Sequence, residues 1–249
     1  MSEDEQREQD KLLKQIADIY YERDANKWTL DVKRKNFVQH STTLPGMDVI
    51  MLRARTTVRA DIRHVKQVCA NIHLRREWET VLYDLEALDV TSDMFHSIAY
   101  FAFRSPSIGF IAPAADRDFL MSQDIRLNFP EEGCQIVFCK SIEDARIPPK
   151  KNRVRATTYL IAIIMKGCKD EATGEDLVDM TMMTCLDING YVPKWIVSIA
   201  QKREPQVWFD TLQKACDKFA AGEFKLKPKH IEDWVYGPML TPPPDSDEE

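Results

Sequence analysis

Asp187-Ile-Asn-Gly-Tyr-Val-Pro-Lys-Trp-Ile-Val197 is where the chain stops reading as strands and starts reading as a long helix. The run at 177–188 before it is strand-like. After it, Pro193 occupies the first turn of a helix over about 193–220, with Trp195, Ile196, Ile199, Ala200 and Val207 along it. Working outward, five more strand-like runs lie at about 81–90, 95–103, 118–127, 134–142 and 153–165, joined mostly by short polar connections as in an antiparallel meander. Asp61 caps a helix whose apolar face is Ile62, Val65, Val68, Cys69 and Ile72. Ahead of it are short β-prone segments at 28–33, 37–42 and 49–58, with Pro45-Gly46 marking a turn. Residues 5–23 form an amphipathic helix on Leu12, Leu13, Ile16, Ile19 and Tyr20. About nine antiparallel strands with helices at both ends predict an α+β fold: one strongly curved sheet with a long C-terminal helix closing its concave face. Periodicity leaves open whether the enclosed space is packed core or cavity.

The bulk numbers narrow the function. Of 249 residues, 44% are apolar and 30% charged, enough for one substantial core. The formal net charge of −6 argues against nucleic acid as a partner, which needs a concentrated basic face. Met1-Ser2-Glu3-Asp4-Glu5 is acidic where a signal peptide is basic and apolar, and the longest apolar run, Tyr159 to Met165, has strand length. The six cysteines show no CxxC pair, as expected of reduced thiols in the cytoplasm. The five histidines have no metal-ligand spacing, and neither a glycine-rich phosphate loop nor a Ser–His–Asp or Cys–His set stands out. No cofactor, metal or enzymatic activity is expected.

Four motifs recur in one order. They are Arg75-Arg-Glu-Trp-Glu79, Ala115-Asp-Arg-Asp-Phe-Leu120, Ile147-Pro-Pro-Lys-Lys-Asn-Arg-Val-Arg-Ala156, and the Asp187–Val197 stretch quoted first. Together they resemble R-x-x-W-D, R-D-F-V, P-P-x-x-x-x-V-R-A and D-x-x-G-x-x-P-x-W-x-V of the START (steroidogenic acute regulatory protein-related lipid transfer) family, over roughly residues 30–220. The resemblance implies a helix-grip fold: a curved sheet around a lipid-sized tunnel under a C-terminal helix. It is strongest to the phosphatidylcholine-transfer branch, and implies that Arg75 holds the lipid phosphate and that Phe101, Phe119 and Tyr159 cage the choline. Departures are Gln123 where many members carry arginine, Glu79 for aspartate, and a longer loop at 104–116. Arg75 with Glu79 also resembles the ceramide-contacting pair of another branch, whose other polar positions fall here on Phe101, Cys139 and Met182.

Each assignment has a plainer counterpart. A buried phosphodiester needs a charged partner, and the planar fork of arginine bonds two oxygens at once; Arg75 and Glu79 also read as a structural salt bridge. A quaternary ammonium has no N–H donor and is recognised by aromatic faces, yet an aromatic on a strand is ordinarily core. Ile108, Phe110 and Ile111, around Gly109, read either as a membrane-docking loop tip or as a lid. Ser246, followed by Asp247, Glu248 and Glu249, resembles an acidophilic kinase site in what otherwise reads as a solubilising acidic tail.

The expected organisation is an amphipathic helix at 1–25, a START-like lipid-binding domain at 26–221, and a C-terminal extension with a disordered acidic tail at 222–249. The expected function is binding and transfer of one phosphatidylcholine-like glycerophospholipid by a cytoplasmic monomer in transient peripheral contact with membranes. Alternatives are a ceramide or sterol carrier, a lipid-responsive sensor that does not transfer, and a helix-grip enzyme.

Overall fold

The computed structural model describes residues 3–24, 26–44, 46, 49–91, 95–105, 115–192 and 194–225. Helix α1 (Glu3–Tyr20) leads into strands β1 (Thr29–Arg34), β2 (Phe37–Thr43) and β3 (Ile50–Arg59). Helices α2 (Ile62–Ala70) and α3 (Ile72–Trp78) follow, then β4 (Leu82–Val90), β5 (His96–Phe103), β6 (Asp116–Leu127) and β7 (Cys134–Ser141). The chain ends in β8 (Arg153–Arg155), β9 (Thr157–Lys169), β10 (Asp176–Asp187) and α4 (Lys194–Ala220).

The predicted single meander is two meanders joined. Strand order is β1-β2-β3-β10-β9-β7-β6-β5-β4, so α2 and α3 carry the chain from the third strand to the far edge. β10 closes the gap by pairing antiparallel with β3, from Leu177↔Arg59 to Cys185↔Met51. The run at 153–165 is also broken. Arg153–Arg155 pair in parallel with Asp116–Asp118, the Ala156 amide bonds the Asp118 carbonyl at 2.9 Å, and the chain then moves over to pair with β7 and β10 as β9.

Both faces of the sheet are covered, which is why Tyr159–Met165 reads as an unbroken apolar run. Leu160, Ala162 and Ile164 point one way and pack with Ile16 and Ile19 of α1. Ile163 and Met165 point the other way and join Val65, Val68 and Cys69 of α2 with Phe209, Leu212, Ala215 and Cys216 of α4. Burying Ile16 and Ile19 completely contributes about 1.5–3 kcal/mol each. Val207, expected along the apolar side of α4, is exposed, and Phe209 faces inward in its place.

Asp61 caps α2 as predicted, its carboxylate accepting the Arg63 amide at 2.7 Å. The expected helix face ends early. Asn71 terminates α2, and Ile72 begins the separate α3, docked by the Trp78 indole N–H on the Val68 carbonyl at 3.1 Å. That break turns α3 so that Arg75 lies over the Phe101 ring of β5, while the exposed Arg76 donates to the Leu85 carbonyl of β4. Among the described residues, no helix is long and apolar enough to cross a membrane.

Candidate functional site

The inner wall follows from strand register, because directly paired residues share a face. Phe101 pairs with Leu85 on β4 and Phe119 on β6, Ala99 pairs with Met121, and Gln123 pairs with Cys139, which pairs with Ile161. Most of these side chains, with Ile72 and Leu82, form one buried cluster.

Onto this wall α3 lowers a charged pair. Arg75 Nε donates to Glu79 Oε2 at 3.1 Å, and Nη2 donates to Oε1 at 2.7 Å and Oε2 at 2.8 Å. Their i,i+4 spacing on one helix makes this fork geometry available. The side chains are 17% and 6% exposed. Glu79 Oε1 also accepts the Trp208 indole N–H from α4 at 2.9 Å. Burial opposes the charged form of Arg75, but the attraction and hydrogen bonds of Glu79 outweigh it and raise its pKa above the usual value. The adjacent Cys139 thiol is pushed up to about 12 by burial, so it stays neutral at physiological pH. The guanidinium lies 5.0 Å over the Phe101 ring, so that aromatic face already holds a cation from the protein itself.

Arg75, Glu79 and Phe101 are therefore brought together. Phe119 joins through Phe103, which packs against Phe101 at 6.3 Å and Phe119 at 5.5 Å between ring centroids. Tyr159 lies on β9 at an irregularity, where Cys185 pairs with Leu160 and Leu186 with Thr158; it is 45% exposed and makes no ring contact with the two phenylalanines. Ile108, Phe110, Ile111 and Ser246 fall outside the described residues, as does Pro193. Sequence reasoning missed Phe103 and Trp208. Phe103 was legible, being two positions from Phe101 on one strand, whereas Trp208 meets Glu79 across 129 residues and has no local signature.

Three of the four motifs bond to one another at the edge of this wall. The Arg117 guanidinium donates to the carbonyls of Ile188 and Asn189, both at 3.0 Å, and to that of Ala115. Asn189 Nδ2 donates to the Arg155 carbonyl at 2.8 Å and Thr157 Oγ1 at 3.0 Å. Arg155 Nε donates to Asp118 Oδ1 at 2.9 Å, and the fully buried Asp118 also accepts the Tyr100 hydroxyl at 3.0 Å. Gly190 has φ 71°, in the left-handed region that favours glycine, while a Cβ there would make only ordinary contacts with Val154 and Arg117.

The START domain family pattern matches residues 8–221. START domain-containing protein 10 of mouse and of human are each 26% identical over 180 residues, covering 71% of this chain and 55% of theirs. The chain thus spans about half the length of these curated relatives. The crystal structure of human STARD10 superposes with TM-score 0.68 at 18% identity, over 86% of this chain and 82% of that one. Human StAR-related lipid transfer protein 5 superposes with TM-score 0.69 at 17% identity, over 84% and 99%. Pattern and fold agree with the geometry above: the chain belongs to the START domain family.

Proposed function

We propose that the protein binds one glycerophospholipid with a zwitterionic head group, phosphatidylcholine foremost, and carries it between membranes. The observation that supports this reading most is the buried Arg75–Glu79 pair on the inner wall. The pair is neutral overall. A zwitterionic head group adds no net charge to it, whereas an anionic lipid brings a charge that is costly to bury without a partner. Arg75 Nη1, which makes no bond to Glu79, is the donor for the phosphate. The quaternary ammonium rests on Phe119 and Phe103, with Tyr159 of β9 as the third aromatic; Phe101 is already covered by Arg75.

Transfer is worth catalysing because a two-chain lipid exposes some thirty methylenes to water, at about 0.8 kcal/mol each. That one structural relative is a lipid transfer protein supports carriage rather than bond chemistry. The carrier is a cytoplasmic monomer that touches membranes transiently. Ile108, Phe110 and Ile111 make first contact with the bilayer, and phosphorylation of Ser246, adding about −1.5 to −2 charges, weakens docking on anionic leaflets.

Native mass spectrometry of the purified protein, followed by vesicle-to-vesicle transfer of phosphatidylcholine, phosphatidylethanolamine, ceramide and cholesterol, tests this. Phosphatidylcholine should be bound one to one and its transfer accelerated. A protein that neither carries nor moves it refutes the reading, and one that binds without moving it is a sensor. A self-neutralised ion pair also suits a lipid with a hydroxyl head group, so preferential ceramide transfer in the same assay selects that second reading.

A further inference from the structure

Helix α4 stops on a sequence signal, and the chain after it turns back onto the fold. Gly222 has φ 71°, the left-handed conformation that glycine adopts just past a helix end. Its amide bonds the Phe219 carbonyl and the Glu223 amide bonds the Lys218 carbonyl, both at 3.0 Å, which closes the last turn. Phe224 then packs on Phe219 at 5.9 Å between ring centroids, and Phe219 on His64 of α2 at 5.3 Å. One residue later the Lys225 amide donates to Glu77 Oε2 of α3 at 2.8 Å. The chain beyond α4 is thus pinned to the helix that carries Arg75 and Glu79.

Beside that anchor lies a free edge of the sheet, because the strand order ends at β4. Arg76 Nη2 donates to the Leu85 carbonyl at 2.6 Å, so α3 at residues 76–77 lies level with β4 at residues 85–86. Of the β4 carboxylates, Asp84 is taken by Lys150 and Arg153, and Asp89 by Arg146. Glu77 and Glu86 are exposed, and neither has an ion pair among the described residues. Val90, at the far end of β4, is 44% exposed.

The sequence after Lys225 suits this edge. It reads Leu226-Lys-Pro-Lys-His-Ile-Glu-Asp-Trp-Val-Tyr236, outside the described residues. A proline biases the residue before it towards extended backbone, here Lys227. At about 3.3 Å per extended residue, Lys227 and Lys229 stay within about 7–13 Å of the Lys225 anchor, and Trp234 can reach the Val90 end of β4. Lysines tethered this close meet the two carboxylates at a far higher effective concentration than a separate molecule does. Free sheet edges invite pairing with another chain, and proteins commonly cover them with a segment of their own.

We propose that residues 226–236 form a strap along the free edge of β4, with Lys227 and Lys229 on Glu77 and Glu86 and Trp234 over Val90. The occupant of this surface is the chain's own C-terminal extension, which holds α3 between α4 and the sheet edge. The strap is independent of the lipid-carrier reading.

The test is zero-length carbodiimide coupling of the full chain, read by peptide mapping of the monomer fraction. The reagent joins amines to carboxylates in contact, so Lys227 and Lys229 should be linked chiefly to Glu77 and Glu86. In hydrogen exchange, the amides of 86–90 and 234–236 should exchange about threefold or more faster in Glu86→Lys than in wild type. Combining Glu86→Lys with Lys227→Glu/Lys229→Glu should restore the wild-type rates, which a merely structural loss at position 86 would not allow. Links that form only between two chains overturn the choice of the chain's own segment. Links scattered over other carboxylates, or exchange unchanged by Glu86→Lys, overturn the strap. A combined variant that stays as fast as Glu86→Lys overturns the charge pairing.

Discussion

The indole N–H of Trp208 donates to the Glu79 carboxylate at 2.9 Å, so the closing helix α4 is bonded to the same group that holds Arg75. Trp208 also packs edge-on to Trp78 at 5.8 Å and Phe209 at 5.3 Å, which continues the contact to Phe37 on β2 at 6.2 Å. One aromatic row thus spans the helical layer from α3 to the second strand, with the only buried carboxylate–guanidinium pair of α3 beneath it among the described residues.

Trp208→Phe keeps the ring and removes the donor. Hydrogen bonds to charged groups contribute about 1.5–3 kcal/mol, so urea unfolding should show a loss in that range. A variant with an unchanged midpoint and slope would mean the bond adds nothing measurable.

Arg75→Leu alone strands Glu79 in the interior, and should destabilise by about 3–5 kcal/mol. Arg75→Leu/Glu79→Leu should recover most of that loss, yet emerge from purification without phospholipid. The double variant is therefore the informative one for binding. If it still carries phosphatidylcholine as the wild type does, Arg75 does not hold the phosphate.

Lipid charge should matter more than head-group size. In a transfer assay, phosphatidic acid should move much more slowly than phosphatidylcholine, because its charge finds Arg75 already neutralised. Equal transfer of the two lipids would remove the argument from the neutral pair.

Lys66 is 3% exposed, and burial lowers its pKa to about 8. Below that pH both folded and unfolded chains hold the proton. Between about 8 and the ordinary lysine value of about 10.4, only the unfolded chain does, so this group makes stability rise with pH. Relative to wild type, Lys66→Met should lose stability between pH 7 and pH 10 in paired urea titrations. A stability difference that is constant with pH would disprove the titration.

Asp118→Ala and Arg155→Ala should be coupled rather than additive, with an interaction energy of about 1–3 kcal/mol in a double-mutant cycle. Neither residue faces the inner wall, so lipid occupancy of the folded fraction should match wild type. Additive losses would show that the bond between these two motifs is incidental to stability.

The strands, the α1 face and the Asp61 cap were legible because each is written in neighbouring residues: period two, period 3.6, and a carboxylate ahead of an apolar run. The break at Asn71 was not legible, because the apolar period continues through Ile72 and the halt depends on how Trp78 docks on Val68. The 153–165 run looked continuous for a related reason. Its break at Ala156 is made by pairing with Asp118, which lies on another strand.

The candidate site divides in the same way. Sequence spacing alone put Arg75 and Glu79 within reach of each other, since residues four apart on a helix are neighbours. It also put Phe101 and Phe103 on one face of a strand. Only the tertiary structure decided that Trp208 completes the pair, that Arg75 covers Phe101, and that Tyr159 stands apart from the phenylalanines. It also decided that Arg117, Asp118, Arg155 and Asn189 hold one another. The physical reason is that periodicity fixes the direction of a side chain relative to its own strand or helix, whereas its partner across the fold is set by strand order and register, through contacts that span tens to more than a hundred residues.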